Sequence, residues 1–156
     1  MRLTSADIGA WLFRCSPRSW ADAAGDGRPV DGWCVLATYR LELISPGQPA
    51  VLWVTGSRGT RPEPGIWMAG FTTGEVDPGS GDRSPGDGAA GQKRRPRVGL
   101  RMTGLQSPVP RDRLRTDRRT ERLEVLRVAH GSNPSYLTPE EKAAVEEMIG
   151  GWPHPA

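Results

Sequence analysis

Apolar and polar positions alternate in short blocks along most of this chain, and the blocks read as strands set between Gly- and Pro-rich punctuation. The first covers residues 8–15, Ile-Gly-Ala-Trp-Leu-Phe-Arg-Cys, where alternation puts Trp11, Phe13 and Cys15 on one face. Ser16-Pro17 ends it, and Ser19 is placed to cap a short helix through residue 24. Residues 25–32 read as a loop, and Trp33-Cys34-Val35 resumes extended structure. Val51-Leu52-Trp53-Val54-Thr55 is a second clear strand, entered through the Pro46-Gly47 turn. Residues 65–76 pair with it as a long-tipped hairpin, and Gly70 and Gly74 predict a bulge or a close backbone approach. Residues 77–92 have no apolar periodicity and read as a disordered surface loop. A further strand covers residues 98–102, short helical turns follow over 111–115 and 118–123, and residues 123–128 return to the core.

The last helix has the plainest signature. Thr138 stands at the N-cap, Pro139 at the first helical position and Glu141 three residues after the cap. Ala144, Val145, Met148 and Ile149 give an apolar stripe, and Gly150-Gly151 stops it. These elements describe an α+β domain over residues 1–152, with five or six strands in a small curved sheet or barrel, flanking short helices and a tail at 153–156.

Composition changes this picture in two ways. Five of the six Trp lie at positions 11, 20, 33, 53 and 67, in a chain with only two Tyr and two Phe. Aromatic faces either fill cores or stack on flat π systems such as nucleobases. Charge is also divided. Residues 1–92 carry 8 Arg against 10 acids, residues 93–127 carry 12 Lys and Arg against 4 acids, and residues 128–156 carry 1 Lys against 4 Glu. A local balance of +8 is the footprint of a polyanion-binding face, and equally that of a solvated helix face in an Arg-rich chain. The candidates for phosphate contact are Arg94, Arg95, Arg118 and Arg119.

Catalytic patterns are missing. His130 stands without a second His near it, and no Cys-x-x-Cys, His-x-x-x-His or phosphate-cradling Gly-x-x-x-x-Gly-Lys motif occurs. The expectation is a binding protein with no metal or cofactor. No apolar run reaches the length of a membrane span, no signal-peptide pattern opens the chain, and two cysteines make no disulfide framework, so a reduced, cytoplasmic monomer is expected.

Several of these blocks, in this order, resemble the EVE domain, a branch of the PUA-like superfamily related to the YTH domain. Trp11-Leu12-Phe13-Arg14-Cys15-Ser16-Pro17 is similar to that family's first strand, and Trp33-Cys34-Val35 to its Trp-x-Val element. Ser45-Pro46-Gly47-Gln48 ahead of Val51-Leu52-Trp53 resembles its turn-and-strand step, with Gln48 in place of the usual Asp, a change expected to affect the turn more than a site. Gly65-Ile66-Trp67-Met68-Ala69-Gly70 followed by Gly74-Glu75-Val76 resembles its Gly-Ile strand, with Phe71 to Gly74 inserted. His130-Gly131-Ser132-Asn133-Pro134, then Leu137-Thr138-Pro139-Glu140-Glu141, resembles its Gln-Gly turn and terminal helix.

The resemblance implies a small mixed β-barrel that holds a base, a modified one, in an aromatic pocket of DNA- or RNA-binding character without catalysis. It implies that Trp33 stacks on the flipped base and that Ser132 and Asn133 lie beside the pocket. Cys15 and Ser16, at the end of the first strand, are further candidates for a base edge, and Trp53 and Trp67 for its walls; for both Trp, ordinary strand packing is the competing role. Asn133 has an equally open alternative as an Asx turn. Two other functions compete: a PUA-like RNA-binding module that uses only its basic face, and a small enzyme with His130 as general base.

Overall fold

The computed structural model describes residues 2–24, 28–77, 95–128, 131 and 133–154. Six strands, β1 (Ala10–Cys15), β2 (Val30–Cys34), β3 (Pro49–Val54), β4 (Gly65–Asp77), β5 (Arg97–Pro110) and β6 (Ser135–Leu137), form one sheet in the order β2-β5-β4-β3-β1-β6. Every neighbouring pair is antiparallel except β1 with β3, so the sheet is mixed. Four short helices flank it: α1 (Pro17–Ala24), α2 (Arg111–Thr116), α3 (Glu124–Arg127) and α4 (Pro139–Met148). The architecture is the α+β arrangement expected. The barrel is a correction: the outer strands β2 and β6 share no backbone ladder, and the hydrogen-bonded sheet stays open.

Alternation along the central strands sorts the core into two layers. Ala10 and Leu12 of β1 join Val51 and Trp53 of β3 on one face, beneath Leu114 of α2, Val125 of α3 and Val145 of α4. Trp11, Phe13 and Cys15 join Ala50, Leu52 and Val54 on the other, with Ala24 of α1 and the half-buried Trp20, Trp33 and Trp67. Burial on both faces explains why β3 is an almost unbroken apolar run.

Gly70 and Gly74 of β4 take one predicted role each. Gly74, at φ +89°, stands within a register shift between Thr72 and Val76. Gly70 is a close approach, since a Cβ there would lie 1.9 Å from the Arg101 carbonyl oxygen. Gln48 holds the preceding turn: its Oε1 accepts from Ser45 N and from Trp11 Nε1, both at 2.8 Å. The terminal helix carries the expected capping box, with Glu141 N donating to Thr138 Oγ1 at 3.2 Å and Thr138 N to Glu141 Oε1 at 2.9 Å. The first helix starts earlier than expected, at Pro17, because Ser16 rather than Ser19 caps it.

Trp152, the sixth Trp, closes the helical layer. It packs in the core beside Val145, and its Nε1 donates to the Gly70 carbonyl at 2.8 Å. Replacing Trp152 by Ala leaves a cavity and an unpartnered carbonyl, a loss of about 3–5 kcal/mol for a buried Trp. Urea unfolding of Trp152→Ala measures it, and a loss below about 1 kcal/mol would place Trp152 outside the core.

Candidate nucleic-acid interface

The last residues of β1 lie where its neighbour runs out. β6 pairs with β1 from Ala10↔Leu137 to Leu12↔Ser135 and then stops. Carrying that register two residues on sets Asn133 opposite Arg14, and there a side chain takes over from the ladder. Asn133 Oδ1 accepts from Arg14 N at 3.1 Å, and Asn133 Nδ2 donates to Arg14 O at 3.2 Å. The carboxamide thus copies the donor and acceptor of a peptide group. The Asn133 main-chain carbonyl meanwhile accepts from Leu36 N at 3.0 Å, just past β2. Trp33 of β2 completes the link by donating Nε1 to Arg14 O at 3.0 Å. A main-chain bond therefore joins the segments next to β2 and β6 that the ladder leaves apart, and side chains from both tie them to the end of β1.

This knot fixes the half-buried indole of Trp33 at the rim. Leu36, three residues past Trp33, and Val128, whose carbonyl Arg14 engages, are at 48% and 44% exposure the large apolar side chains most open to solvent among the described residues. Arg14 brings charge to the same place. Its Nη2 donates to the Val128 carbonyl at 2.9 Å, and Gly131 packs close to the guanidinium. Burial pulls the Arg14 pKa below its ordinary value, Glu124 opposes that, and Arg40 adds to it.

Beneath the rim lies an ionic pair that sequence reasoning missed. Arg40 and Glu124 meet in a bidentate contact at 2.7 and 2.8 Å, with side chains only 11% and 13% exposed. Arg40 Nη1 also donates to the Pro134 carbonyl at 3.2 Å, and Ser135 Oγ donates to Glu124 Oε1 at 2.7 Å. The pair therefore grips the segment that carries Asn133. Eighty-four positions separate the partners, and neither stands in a motif.

The other candidates distribute unevenly. Ser16 caps α1, accepting from Ser19 N at 3.1 Å and donating to Ser19 Oγ at 3.0 Å. Cys15 is buried, which pushes its thiol up to about 12, and its carbonyl accepts from Thr55 N at 2.8 Å. Trp53 is not at the rim: it is 3% exposed in the core on the opposite face of the sheet. Trp67 is half-buried beside Trp20, not beside Trp33. Asn133 is at the rim, but both ends of its amide are engaged by Arg14, so it positions Trp33 and Arg14. Arg95 and Arg118 are exposed. Arg119 is bound to Asp117 and Glu147 and ties the end of α2 to α4, which takes it from the phosphate candidates. Ser132, Arg94, His130 and the stretch 78–92 lie outside the described residues.

Among the described residues, no group of three or more His, Cys, Asp or Glu could hold a metal ion, and no helix is long and apolar enough to cross a membrane.

Comparison with known proteins identifies the fold. No protein-family model matches the chain, and no curated protein matches it. Solved structures do. A protein from Pseudomonas putida aligns with 17% identity over 90% of this chain and 99% of its own, at a TM-score of 0.63. One from Leishmania major aligns with 14% identity over 94% and 97%, at 0.65. Human THYN1, solved in complex with 5-methylcytosine-containing DNA, aligns with 15% identity over 92% and 99%, at 0.56. At these identities the likeness is one of fold: this chain has the fold of these structures, the DUF55 domain of human thymocyte nuclear protein 1 among them.

The Arg40–Glu124 pair yields a pH prediction. Burial raises the Glu124 pKa, but hydrogen bonds from Arg40 and Ser135 and the nearby positive charge outweigh it, so it lies below its ordinary value of 4.5. A depressed carboxyl pKa stabilises the fold fully above the unfolded value and loses that contribution as pH falls through the folded one. Glu124→Gln leaves Arg40 buried without its counter-charge and costs about 3 kcal/mol at pH 7. The stability gap between parent and variant stays constant down to about pH 5.5 and narrows below about pH 4.5. Urea unfolding between pH 3 and 7 reads the gap, and one that does not narrow would mean Glu124 is not ionised in the fold.

Proposed function

We propose that this protein is a non-enzymatic nucleic-acid-binding module that holds a modified base against Trp33, with 5-methylcytosine in DNA the first base to test. The single observation that carries the reading is the half-buried indole of Trp33, pinned through its N–H to Arg14 O. Stacking of one base on an aromatic side chain contributes about 1–3 kcal/mol. Extruding that base from a duplex costs a few kcal/mol, and least from a single strand or a damaged pair. Leu36 and Val128 offer apolar surface to a base methyl, whose burial is favourable by about 0.8 kcal/mol. The likeness to a fold solved with 5-methylcytosine DNA supports the choice of ligand.

A nucleophilic role for Cys15 fits poorly, because a buried thiol with a raised pKa yields little thiolate near neutrality. The competing PUA-like reading, an RNA-binding module that uses only its basic face, finds support in the exposed Arg113, Arg115 and Arg118. Fluorescence anisotropy with matched DNA and RNA oligonucleotides, with and without 5-methylcytosine, separates the two. Trp33→Ala should weaken binding of the methylated oligonucleotide by about 1–3 kcal/mol while the circular dichroism spectrum stays native. Equal affinity of the parent protein for methylated and unmethylated strands, combined with an unaffected Trp33→Ala, would leave the basic-face reading in its place.

A further inference from the structure

Trp67 does not obey the alternation of its strand. β3 and β4 pair as Leu52↔Met68 and Trp53↔Ile66, so Trp67 is the extra residue of a bulge. β5 shifts register at the same place, pairing Ile66 with Val109 and Met68 with Gly104. Bulges re-aim side chains. Here Trp67 and its neighbour Met68 both turn to the face that carries α1. Trp67 then meets Trp20 of α1 at a centroid distance of 5.4 Å and an interplanar angle of 51°, both rings half-buried, and it donates Nε1 to the Glu63 carbonyl at 2.7 Å.

The elements that carry and adjoin this pair are rich in cations. Arg18 is exposed on α1, and Arg58 and Arg61 are exposed on the 55–64 segment. That segment is tied to α2 by Arg111, whose Nη1 donates to Gly56 O at 2.7 Å and whose main-chain N donates to Pro64 O at 2.8 Å. α2 in turn exposes Arg113 and Arg115. The acids on these three elements are Asp22, Glu63 and Asp112, against six arginines. Aromatic faces interleaved with arginines are the chemistry of single-stranded nucleic acid, where bases stack and phosphates meet guanidinium groups.

The distance to the rim suits such a strand. Ser16 lies two residues beyond Arg14, and Trp20 one helical turn further, with its N donating to Ser16 O at 2.9 Å. Two extended residues and one helical turn limit the main-chain separation of Arg14 and Trp20 to about 12 Å, within reach of a strand of a few nucleotides.

From this juxtaposition we propose that the Trp20–Trp67 pair, with Arg18, Arg58 and Arg61, is a second binding surface that carries the single strand flanking the base held at Trp33. It rests on the proposed function for the identity of the Trp33 ligand, and it adds the substrate class: an unpaired strand of several nucleotides. The test uses the full chain with a single-stranded 12-mer containing one central 5-methylcytosine, the unmethylated 12-mer, a methylated trimer and the methylated duplex. Trp20→Leu keeps apolar bulk against the core and removes the π face. It should weaken binding of both 12-mers by about 5- to 100-fold and leave the trimer and the ratio of methylated to unmethylated binding unchanged. The double variant Arg58→Gln, Arg61→Gln, at exposed positions, should flatten the salt dependence of 12-mer binding by about 1.4 in log–log slope.

A folded Trp20→Leu that binds the 12-mer within twofold of the parent overturns the proposal. So does a parent protein that binds the duplex more tightly than the single strand. If Trp20→Leu does not fold, the arginine variant decides, and an unchanged slope overturns the proposal. Loss of methyl discrimination with the Trp20 effect intact would instead count against the Trp33 reading alone.

Discussion

One carboxamide holds the sheet together where its backbone pairing stops. β6 is three residues long, and its ladder with β1 stops at Leu12↔Ser135, two residues short of Arg14. Asn133 answers with both ends of its side chain, and its own carbonyl reaches Leu36 beyond β2. An unsatisfied buried amide costs about 1–3 kcal/mol, and removing the carboxamide would take away the acceptor of Arg14 N while Arg14 O keeps its bond from Trp33. Trp33 hangs on the same atom, Arg14 O, that Asn133 engages. The interactions that close the fold are therefore the ones that set the rim. A site built this way keeps its geometry as long as the domain stays folded.

The Arg40–Glu124 pair belongs to the same construction. Net stabilisation by a buried ion pair is small, because desolvation cancels much of the attraction, whereas breaking one partner away is costly. What the pair does here is geometric. It joins a 3-10 turn at Tyr39–Leu43, α3 and the main chain at Pro134, three pieces of chain that share no ladder. Pro134 adjoins Asn133, so the bidentate contact restrains the residue on which closure depends. The shifted pKa values of Arg14 and Glu124 are the electrostatic trace of packing these charges under the rim.

How much of this was legible beforehand follows from the range of each interaction. The capping box of α4, the β3–β4 pairing and the face shared by Trp11, Phe13 and Cys15 depend on residues near in sequence or on strict alternation, and all three stand as expected. Trp53 and Trp67 were equivalent as strand aromatics. A bulge between them sends one into the core and the other to the α1 face, and no local pattern announces it. Asn133 stands out in the sequence as a reader of a base edge or an Asx turn, yet its side chain pairs with the backbone of Arg14, 119 positions away. Arg14 and Glu124 passed unnoticed because single charges on an amphipathic chain look alike until burial distinguishes them. Arg119 passed as a phosphate contact because its carboxylate partner Glu147 lies on another helix.

Magnitudes then constrain how the proposed activity is divided over the surface. A single stacked base contributes about 1–3 kcal/mol, and a methyl group adds less than one. Micromolar binding requires about 8 kcal/mol, before any cost of extruding the base. A rim built on Trp33 can therefore discriminate between bases without holding a strand. The remainder has to come from phosphates, and the chain carries 12 Lys and Arg against 4 acids between residues 93 and 127. Carboxylates already engage part of that charge, Arg119 and Arg97 being clear cases, while Arg113, Arg115 and Arg118 stay exposed. On the proposed function, affinity and selectivity reside in different residues, and salt acts mainly on the first.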